Sequence, residues 1–123
     1  MPKVLVVDDD YKMRSLVAIT MTNDAHYQVL TASDGVEGIL VARREKPDLV
    51  TLDARMPGMD GFEVCRAIKS DPTTAHASVV MPTALTEEYD KARGVEAGAD
   101  TYITKPFSPA ALLTMVQEVL HLN

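Results

Sequence analysis

Short apolar runs alternate with longer amphipathic stretches along the whole chain, and no other feature of the sequence restricts the possible folds as strongly. The apolar runs cover residues 4–7, 28–31, 49–52, 78–81 and 101–104. Most of their residues are aliphatic or β-branched, as in strands that are buried on both faces. The amphipathic stretches cover residues 12–22, 36–45, 61–69, 87–97 and 109–121. Strict alternation implies right-handed crossovers, so the sequence predicts an α/β fold in which five helices cover both faces of a doubly wound, five-stranded parallel sheet.

The size and composition agree with one globular domain over residues 1–123, and we expect no output domain within it. The net charge of -6 argues against direct binding to nucleic acid, because a phosphate backbone requires a basic surface. The single Cys65 excludes an internal disulfide and fits a reducing compartment. No signal segment and no apolar run of about 20 residues is present, so we expect a cytoplasmic protein with no membrane partner.

Local signals predict where several helices begin and one strand ends. Asp10 and Ser108 are the expected N-caps of the first and last helices, and Pro109 then takes the favoured first helical position. Thr86, followed by two acidic residues, is expected at the start of the fourth helix. Pro82 has no backbone N–H, so we expect the end of the fourth strand to be irregular.

Polar residues follow four of the five apolar runs. They are Asp8, Asp9 and Asp10 after the first run, Asp53 after the third, Thr83 after the fourth and Lys105 after the fifth. In an open parallel sheet the carboxyl ends of the strands meet at one edge, and ligands bind there. Each of these residues alone would usually be a turn former, a cap or a surface residue, and Asp10 keeps that interpretation. The convergence of the others at one edge is what predicts a functional site.

The acidic residues at this edge predict a divalent metal site. Asp8, Asp9 and Asp53 would lie together against the single ammonium of Lys105, and like charges this close disfavour joint ionisation. Mg²⁺ prefers oxygen ligands, keeps several waters and usually binds one or two carboxylates. We expect Asp9 and Asp53 to bind the ion directly and Asp8 to act through a metal-bound water. The backbone carbonyl of Arg55 would complete the ligand set.

The same residues fit phosphoryl transfer to a carboxylate. Asp53 can act as a nucleophile toward phosphorus and form an aspartyl-phosphate. Catalysis then consists mainly of positioning and of neutralising charge on the three equatorial oxygens. We expect the metal to face one of these oxygens and the Lys105 ammonium to face the second. The Thr83 hydroxyl and the backbone N–H of Ala84 would face the third.

Taken together, the segments around these residues resemble the receiver domains of two-component response regulators along the whole chain. The matching segments are residues 6–9 (VVDD), 53–61 (DARMPGMDG), 83–84 (TA), 98–100 (GAD) and 102–107 (YITKPF). As a set they are highly specific, although the Thr-Ala pair alone carries no weight. The resemblance implies the flavodoxin-like receiver topology, with the strand order 2-1-3-4-5.

The resemblance also implies partners and a switching mechanism. A sensor histidine kinase, a histidine phosphotransfer protein or a small phosphodonor would phosphorylate Asp53, with Mg²⁺ or, as a substitute, Mn²⁺ bound beside it. Thr83 and Lys105 would contact the phosphoryl group, and Tyr102 would turn inward when Thr83 moves. The fourth helix, fifth strand and fifth helix would then bind a downstream protein partner. Whether phosphorylation also drives formation of a homodimer stays open.

Two positions are expected to tune the loss of the phosphoryl group. Arg55 and Leu85 lie two residues after Asp53 and Thr83, where residues of this family have that effect. Arg55 would either shield the phosphoryl group or point to solvent, and the sequence leaves both alternatives open. Pro82 stands where a residue with an N–H is usual, which bears on the movement of Thr83 and not on the metal site.

Other functions are less well supported by the residues. A receiver-shaped binding module that works without phosphorylation stays open because of Pro82. An aspartate-nucleophile phosphatase usually has a second acid two residues after the nucleophile, where this chain has Arg55. A flavin carrier would bind phosphate after the first strand, where three aspartates repel it, and no GxxxxGK[ST] or GxGxxG motif is present. The sequence therefore indicates a signalling switch that catalyses only its own phosphorylation and dephosphorylation, and not a separate enzyme.

Overall fold

The computed structural model of the protein describes residues 2–24, 27–83, 88–104 and 107–121, apart from the side chains of residues 83, 88–91 and 121. The strands are β1 (Lys3–Val7), β2 (Gln28–Ala32), β3 (Leu49–Leu52), β4 (Ser78–Thr83) and β5 (Thr101–Thr104). The helices are α1 (Tyr11–Asn23), α2 (Gly35–Glu45), α3 (Gly61–Ser70), α4 (Glu88–Ala97) and α5 (Pro109–His121). The predicted strands and helices are confirmed, and the largest difference is that β4 continues to Thr83.

The strands form one parallel sheet in the order β2-β1-β3-β4-β5, which confirms the predicted fold class. β1 lies between β2 and β3, with Val7 opposite Ala32 of β2 on one side and opposite Leu52 of β3 on the other. Because β1 and β3 are adjacent and end in register, the residues that follow them must lie side by side. Those residues are Asp8 and Asp53.

Alternate residues of the central strands enter two hydrophobic layers, one on each face of the sheet. The layer with α2, α3 and the end of α4 includes Leu5, Val50, Val79, Val41, Phe62, Ile68 and Ala97. The layer with α1 and α5 includes Val4, Leu49, Val80, Val17, Met21, Leu112 and Val116. Burial on both faces explains why the strands are continuous apolar runs. Among the described residues, no helix combines the length and hydrophobicity that crossing a bilayer requires.

Within the part of the chain that the structure describes, side-chain oxygens cap the start of four helices. The predicted caps are confirmed, because Asp10 accepts a backbone N–H from the first turn of α1 and Ser108 accepts one from the first turn of α5. Asp34 and Asp60 cap α2 and α3 in the same way, which the sequence analysis did not identify. Thr86, the residue predicted to start the fourth helix, lies outside the described residues.

β4 continues as a strand through Pro82 and stays paired with β5, so the irregularity expected at its end is confined to the side that faces β3. Pro82 lies opposite Ile103 in the pairing with β5. Backbone groups of successive strand residues face opposite neighbours, and both the N–H and the carbonyl of Val79 bond to Asp100 on the β5 side. The missing donor of Pro82 therefore faces β3, whose pairing with β4 already ends at Val80. The pairing of β4 with β3 thus stops before the residue that has no N–H to donate, while the pairing with β5 continues to Thr83.

Candidate functional site

The candidate site begins with two aspartates that follow neighbouring strands. Asp8 follows β1 and Asp53 follows β3, next to the paired residues Val7 and Leu52. The backbone pairing continues beyond the strands, since the Asp53 N–H donates to the Val7 carbonyl at 3.1 Å and the Asp8 N–H donates to the Ala32 carbonyl at 3.2 Å. These two bonds hold both aspartates at the carboxyl edge of the sheet.

Asp9 joins these two residues to form an acidic cluster. One carboxylate oxygen from each of Asp8, Asp9 and Asp53 lies within 4.8 Å of the other two. Asp8 and Asp53 are buried, with 4% and 9% of their surface exposed, whereas Asp9 is exposed. At a separation of about 5 Å and an effective dielectric constant of about 20, each pair of ionised carboxylates repels by about 3 kcal/mol. The structure thus brings together the three aspartates that the sequence placed at this edge.

The chemistry of the cluster fits a hard divalent cation. The three side chains offer only carboxylate oxygens, which are the ligands that Mg²⁺ prefers, and a doubly charged ion would offset their mutual repulsion. The exposed Asp9 leaves one side of the cluster open to water, and Mg²⁺ usually keeps several waters when it is bound. The cluster therefore has the composition and the access that such an ion requires.

Hydrogen bonds orient the loop between β1 and α1, which carries two of the three carboxylates. Asp8 Oδ1 accepts the backbone N–H of Asp10 at 2.9 Å. The Asp8 carbonyl accepts a hydrogen bond from Nη1 of Arg14, in the first turns of α1, at 2.8 Å. Asp8 is thus fixed through both its side chain and its main chain. Arg14 was not predicted from the sequence, because nothing in its local pattern distinguishes it from a surface arginine.

The loop after Asp53 is held by the core and by tight packing at the start of α3. Met56 is buried in the hydrophobic layer that contains α3. The Gly61 N–H donates to the Ala54 carbonyl at 3.1 Å. A Cβ atom at Gly61 would lie 2.8 Å from both the Ala54 Cα and the Asp53 carbonyl carbon. Gly61 therefore allows α3 to begin directly against the backbone of Asp53, a role that the sequence analysis missed.

An ion pair connects this loop to α4. Arg93 Nη2 lies 3.3 Å from Asp60 Oδ2, and the Arg93 guanidinium lies over the Phe62 ring, 4.4 Å from its centroid. Asp60 uses its other carboxylate oxygen to cap α3. One aspartate therefore holds both the start of α3 and the second half of α4.

Tyr102 of β5 lies against α4. Its ring packs closely on Gly94, where a Cβ atom would come within 2.7 Å of the ring carbons Cε1 and Cζ. Tyr102 is partly buried and contacts the hydrophobic layer of α3. Burial, together with the nearby Cys65, raises the pKa of the Tyr102 hydroxyl, and a backbone hydrogen bond with Val95 acts in the opposite direction. In this structure Tyr102 therefore contacts α4 directly.

Several predicted site residues lie outside the part of the chain that the structure describes. These are Lys105, Ala84 and Leu85, together with the side chain of Thr83. The Thr83 backbone pairs with Thr104, so the described ends of β4 and β5 are adjacent at the carboxyl edge. Arg55 is exposed, and its N–H lies 3.4 Å from Asp53 Oδ1. The functional roles given to these residues stay predictions.

Comparison with known proteins agrees with this geometry. A family model described as the response regulator receiver domain matches residues 4–117. The chain is 43% identical over 117 residues to the response regulator PleD of Caulobacter vibrioides, covering 95% of this chain and 26% of that protein. It is 42% identical over 120 residues to the transcriptional regulator RpaA of Synechocystis, covering 98% of this chain and 49% of that protein. The chain thus spans between about a quarter and a half of the length of these relatives.

A solved structure has the same fold over almost the whole chain. The chemotaxis protein CheY4 of Vibrio cholerae superimposes with a TM-score of 0.90 and is 37% identical in sequence. The superposition covers 97% of this chain and 98% of that one. Fold, sequence and the position of the acidic cluster therefore lead to the same family.

Proposed function

The chain belongs to the response regulator receiver domain family, and on that premise we propose that it is a switch that accepts a phosphoryl group on Asp53 in a Mg²⁺-dependent reaction. The observation that carries the proposal is the cluster of Asp8, Asp9 and Asp53, whose carboxylate oxygens approach within 4.8 Å from two different strand ends. The donor would be a sensor histidine kinase, a histidine phosphotransfer protein or a small phosphodonor. We assign the receiver domain to residues 1–123.

Asp53 is the nucleophile in this proposal. One of its carboxylate oxygens forms a bond to phosphorus while the bond between phosphorus and the leaving atom of the donor breaks. Asp53 follows the central strand β3, and the hydrogen bond from its N–H to the Val7 carbonyl holds its backbone at the edge of the sheet. The packing of Gly61 against it adds to this positioning, which is the main requirement of phosphoryl transfer.

Asp8, Asp9, Asp53 and the backbone carbonyl of Arg55 would hold Mg²⁺, with Mn²⁺ as a substitute. The bound ion would supply positive charge to the carboxylates and to one phosphoryl oxygen. The Asp8 N–H and side chain are both engaged within the protein, which supports its assignment as a residue that acts through a metal-bound water. Asp9 is exposed and so is accessible as a direct ligand.

The remaining roles follow the family pattern. Lys105, Thr83 and the backbone N–H of Ala84 would bind the other phosphoryl oxygens, and Arg55 and Leu85 would tune the rate of phosphoryl loss. The exposure of Arg55 favours neither alternative, because an exposed side chain can point to solvent or cover a phosphoryl group that lies at the open side.

Switching would pass from Thr83 to Tyr102 and so to the α4-β5-α5 surface, where a downstream protein binds. The support for this route is the close packing of Tyr102 on Gly94 of α4. A shift of the tyrosine ring would change the surface that α4 presents. A homodimer formed through the same surface on phosphorylation is an alternative result of the same change. We propose a cytoplasmic protein without direct contact to nucleic acid or membrane, in agreement with its net charge of -6.

Intact-mass spectrometry after incubation with acetyl phosphate and Mg²⁺ tests the proposal. The wild-type protein should gain one phosphoryl group, and Asp53→Asn should gain none. Asp10→Asn is the matched control, because it removes a neighbouring charge while asparagine still caps α1, and it should be phosphorylated like the wild type. Phosphorylation of Asp53→Asn would move the acceptor to another residue. Wild-type protein that gains no mass from any phosphodonor would favour the alternative, a receiver-shaped binding module that works without phosphorylation.

A further inference from the structure

Arg14 makes a contact with the acidic loop that the proposed mechanism does not use. Arg14 lies in α1 and is partly buried, and its Nη1 donates to the carbonyl oxygen of Asp8 at 2.8 Å. Its guanidinium also lies over the ring of Tyr11, 5.5 Å from the centroid. The side chain is thus directed back toward the carboxyl edge of the sheet and supported by an aromatic face.

The Asp8 carbonyl belongs to the peptide group that joins Asp8 to Asp9. Its position therefore sets the direction in which the chain leaves β1 and the place from which the Asp9 side chain starts. The Asp8 N–H is held by Ala32 and its carboxylate by the Asp10 N–H, so the bond from Arg14 fixes the third polar group of this residue. Asp9 is the exposed member of the cluster, and it benefits most from a fixed backbone.

We propose that Arg14 is a positioning residue for the cation site: it orients the Asp8–Asp9 peptide so that the Asp9 carboxylate points at the same place as those of Asp8 and Asp53. This inference rests on the proposed Mg²⁺ site. Hydrogen bonds behind metal ligands commonly have this effect, and their loss weakens metal binding by about 10-fold to 100-fold.

Because Arg14 is positively charged, the direction in which Mg²⁺ affinity changes on its removal distinguishes two possible roles. A guanidinium beside a cation site repels the incoming ion, so a purely electrostatic role predicts that loss of Arg14 strengthens Mg²⁺ binding. A positioning role predicts weaker Mg²⁺ binding, because without Arg14 the Asp9 carboxylate has to be ordered when the ion binds. The sign of the change in affinity therefore separates the two explanations.

The experiment measures Mg²⁺ affinity by isothermal titration calorimetry on the unphosphorylated protein. Arg14→Met keeps an apolar stem and removes both charge and donors, and it should bind Mg²⁺ about 10-fold more weakly than the wild type. Arg14→Lys keeps a donor of similar reach and should recover most of the affinity. Lys12→Met is the matched control, because it removes the same charge from an exposed side chain in the first turn of α1, and its affinity should stay within about twofold of the wild type.

A second readout separates positioning from general damage. With acetyl phosphate as donor, Arg14→Met should need about 10-fold more Mg²⁺ for half-maximal phosphorylation but reach nearly the wild-type rate at saturating Mg²⁺. Melting curves without metal check the fold of each variant. If Arg14→Met does not fold, Arg14→Gln, whose amide is too short to keep the same contact, should show the same loss.

Four results decide the question. The inference is overturned if Arg14→Met or Arg14→Gln binds Mg²⁺ as tightly as the wild type or more tightly. It is also overturned if Arg14→Lys recovers none of the lost Mg²⁺ affinity. Wild-type protein that binds no Mg²⁺ refutes the proposed function itself and is seen before any variant is measured. Weaker binding in Arg14→Met with normal binding in Lys12→Met supports the positioning role.

Discussion

Replacing Gly61 with alanine gives the sharpest contrast between local propensity and tertiary packing. Gly61 is the first residue of α3, and in a helix alanine is usually favoured over glycine by about 1 kcal/mol. Helix propensity alone therefore predicts that Gly61→Ala stabilises the protein. The structure predicts the reverse, because the new Cβ atom would lie 2.8 Å from the Ala54 Cα and from the Asp53 carbonyl carbon, and closer still to the Asp53 carbonyl oxygen.

The magnitude follows from those contacts. Ordinary van der Waals contacts of a Cβ atom begin near 3.4 Å, so the overlap exceeds half an ångström against main-chain atoms. Relief requires a shift of α3 or of the loop itself, and overpacking of this kind costs about 1–3 kcal/mol. A net loss of about 2 kcal/mol in a domain of this size lowers the melting temperature by about 6–12 °C. The backbone of Asp53 is one of the groups that would have to move, so phosphorylation by acetyl phosphate should also slow.

Thermal unfolding followed by circular dichroism measures this effect, and Gly58 provides the control. Gly58 has a φ of 73°, but a Cβ atom there would have no heavy atom within 4 Å. Gly58→Asn should therefore change stability by less than about 1 kcal/mol, since asparagine tolerates left-handed backbone. If Gly61→Ala melts at or above the wild-type temperature, the packing of α3 on Asp53 is not as tight as described and the reasoning fails.

Three further predictions concern other contacts. Asp100→Asn removes the charge that pairs with Lys69 at 2.9 Å, on a side chain that is 41% exposed. The free energy of unfolding in urea titrations should fall by about 1 kcal/mol, and no loss would mean that solvent fully screens the pair. Pro82→Val should change the free energy of unfolding by less than about 1 kcal/mol, because a hydrogen bond gained on the β3 side would be offset by the larger conformational entropy of the unfolded chain. An increase of more than about 1 kcal/mol in the same assay would contradict that balance. Burial raises the pKa of the Cys65 thiol to about 11, so between about pH 9 and pH 11 only the unfolded state loses this proton, and the free energy of unfolding should fall by about 1.4 kcal/mol per pH unit from this group. Cys65→Ala should lack that part of the slope in urea titrations at about pH 8.5 and 10.5, and an identical slope in the variant would show that the thiol is not responsible.

The features that the sequence predicted well depend on short stretches of chain. Apolar runs separated by helical periodicity identify strands and helices, and the caps at Asp10 and Ser108 are set by a few consecutive residues. The convergence of Asp8 and Asp53 was also predictable, because parallel strands must end at the same edge of their sheet. To place Asp8 and Asp53 side by side, the strand order was needed as well, and the family resemblance implied that order.

The features that were missed or only partly predicted all depend on contacts between separate elements of the fold. Pro82 was expected to disturb β4, but the direction of its missing N–H could not be known before β3 and β5 were placed on either side. Asp60 and Arg93 are 33 residues apart, and nothing in either segment shows that they form a pair. Gly61 at a helix start looks unfavourable in sequence and is explained only by the backbone of Asp53 against it.

The sequence by itself determined the class of fold, the edge at which the acidic residues gather and the family. Periodicity and strand direction follow from the local sequence and do not depend on how the side chains pack. The tertiary structure alone decided how the acidic cluster is held, through Arg14 on one side and Gly61 on the other. These contacts join separate elements at distances of a few ångströms, and such distances are fixed only when helices have packed on the sheet.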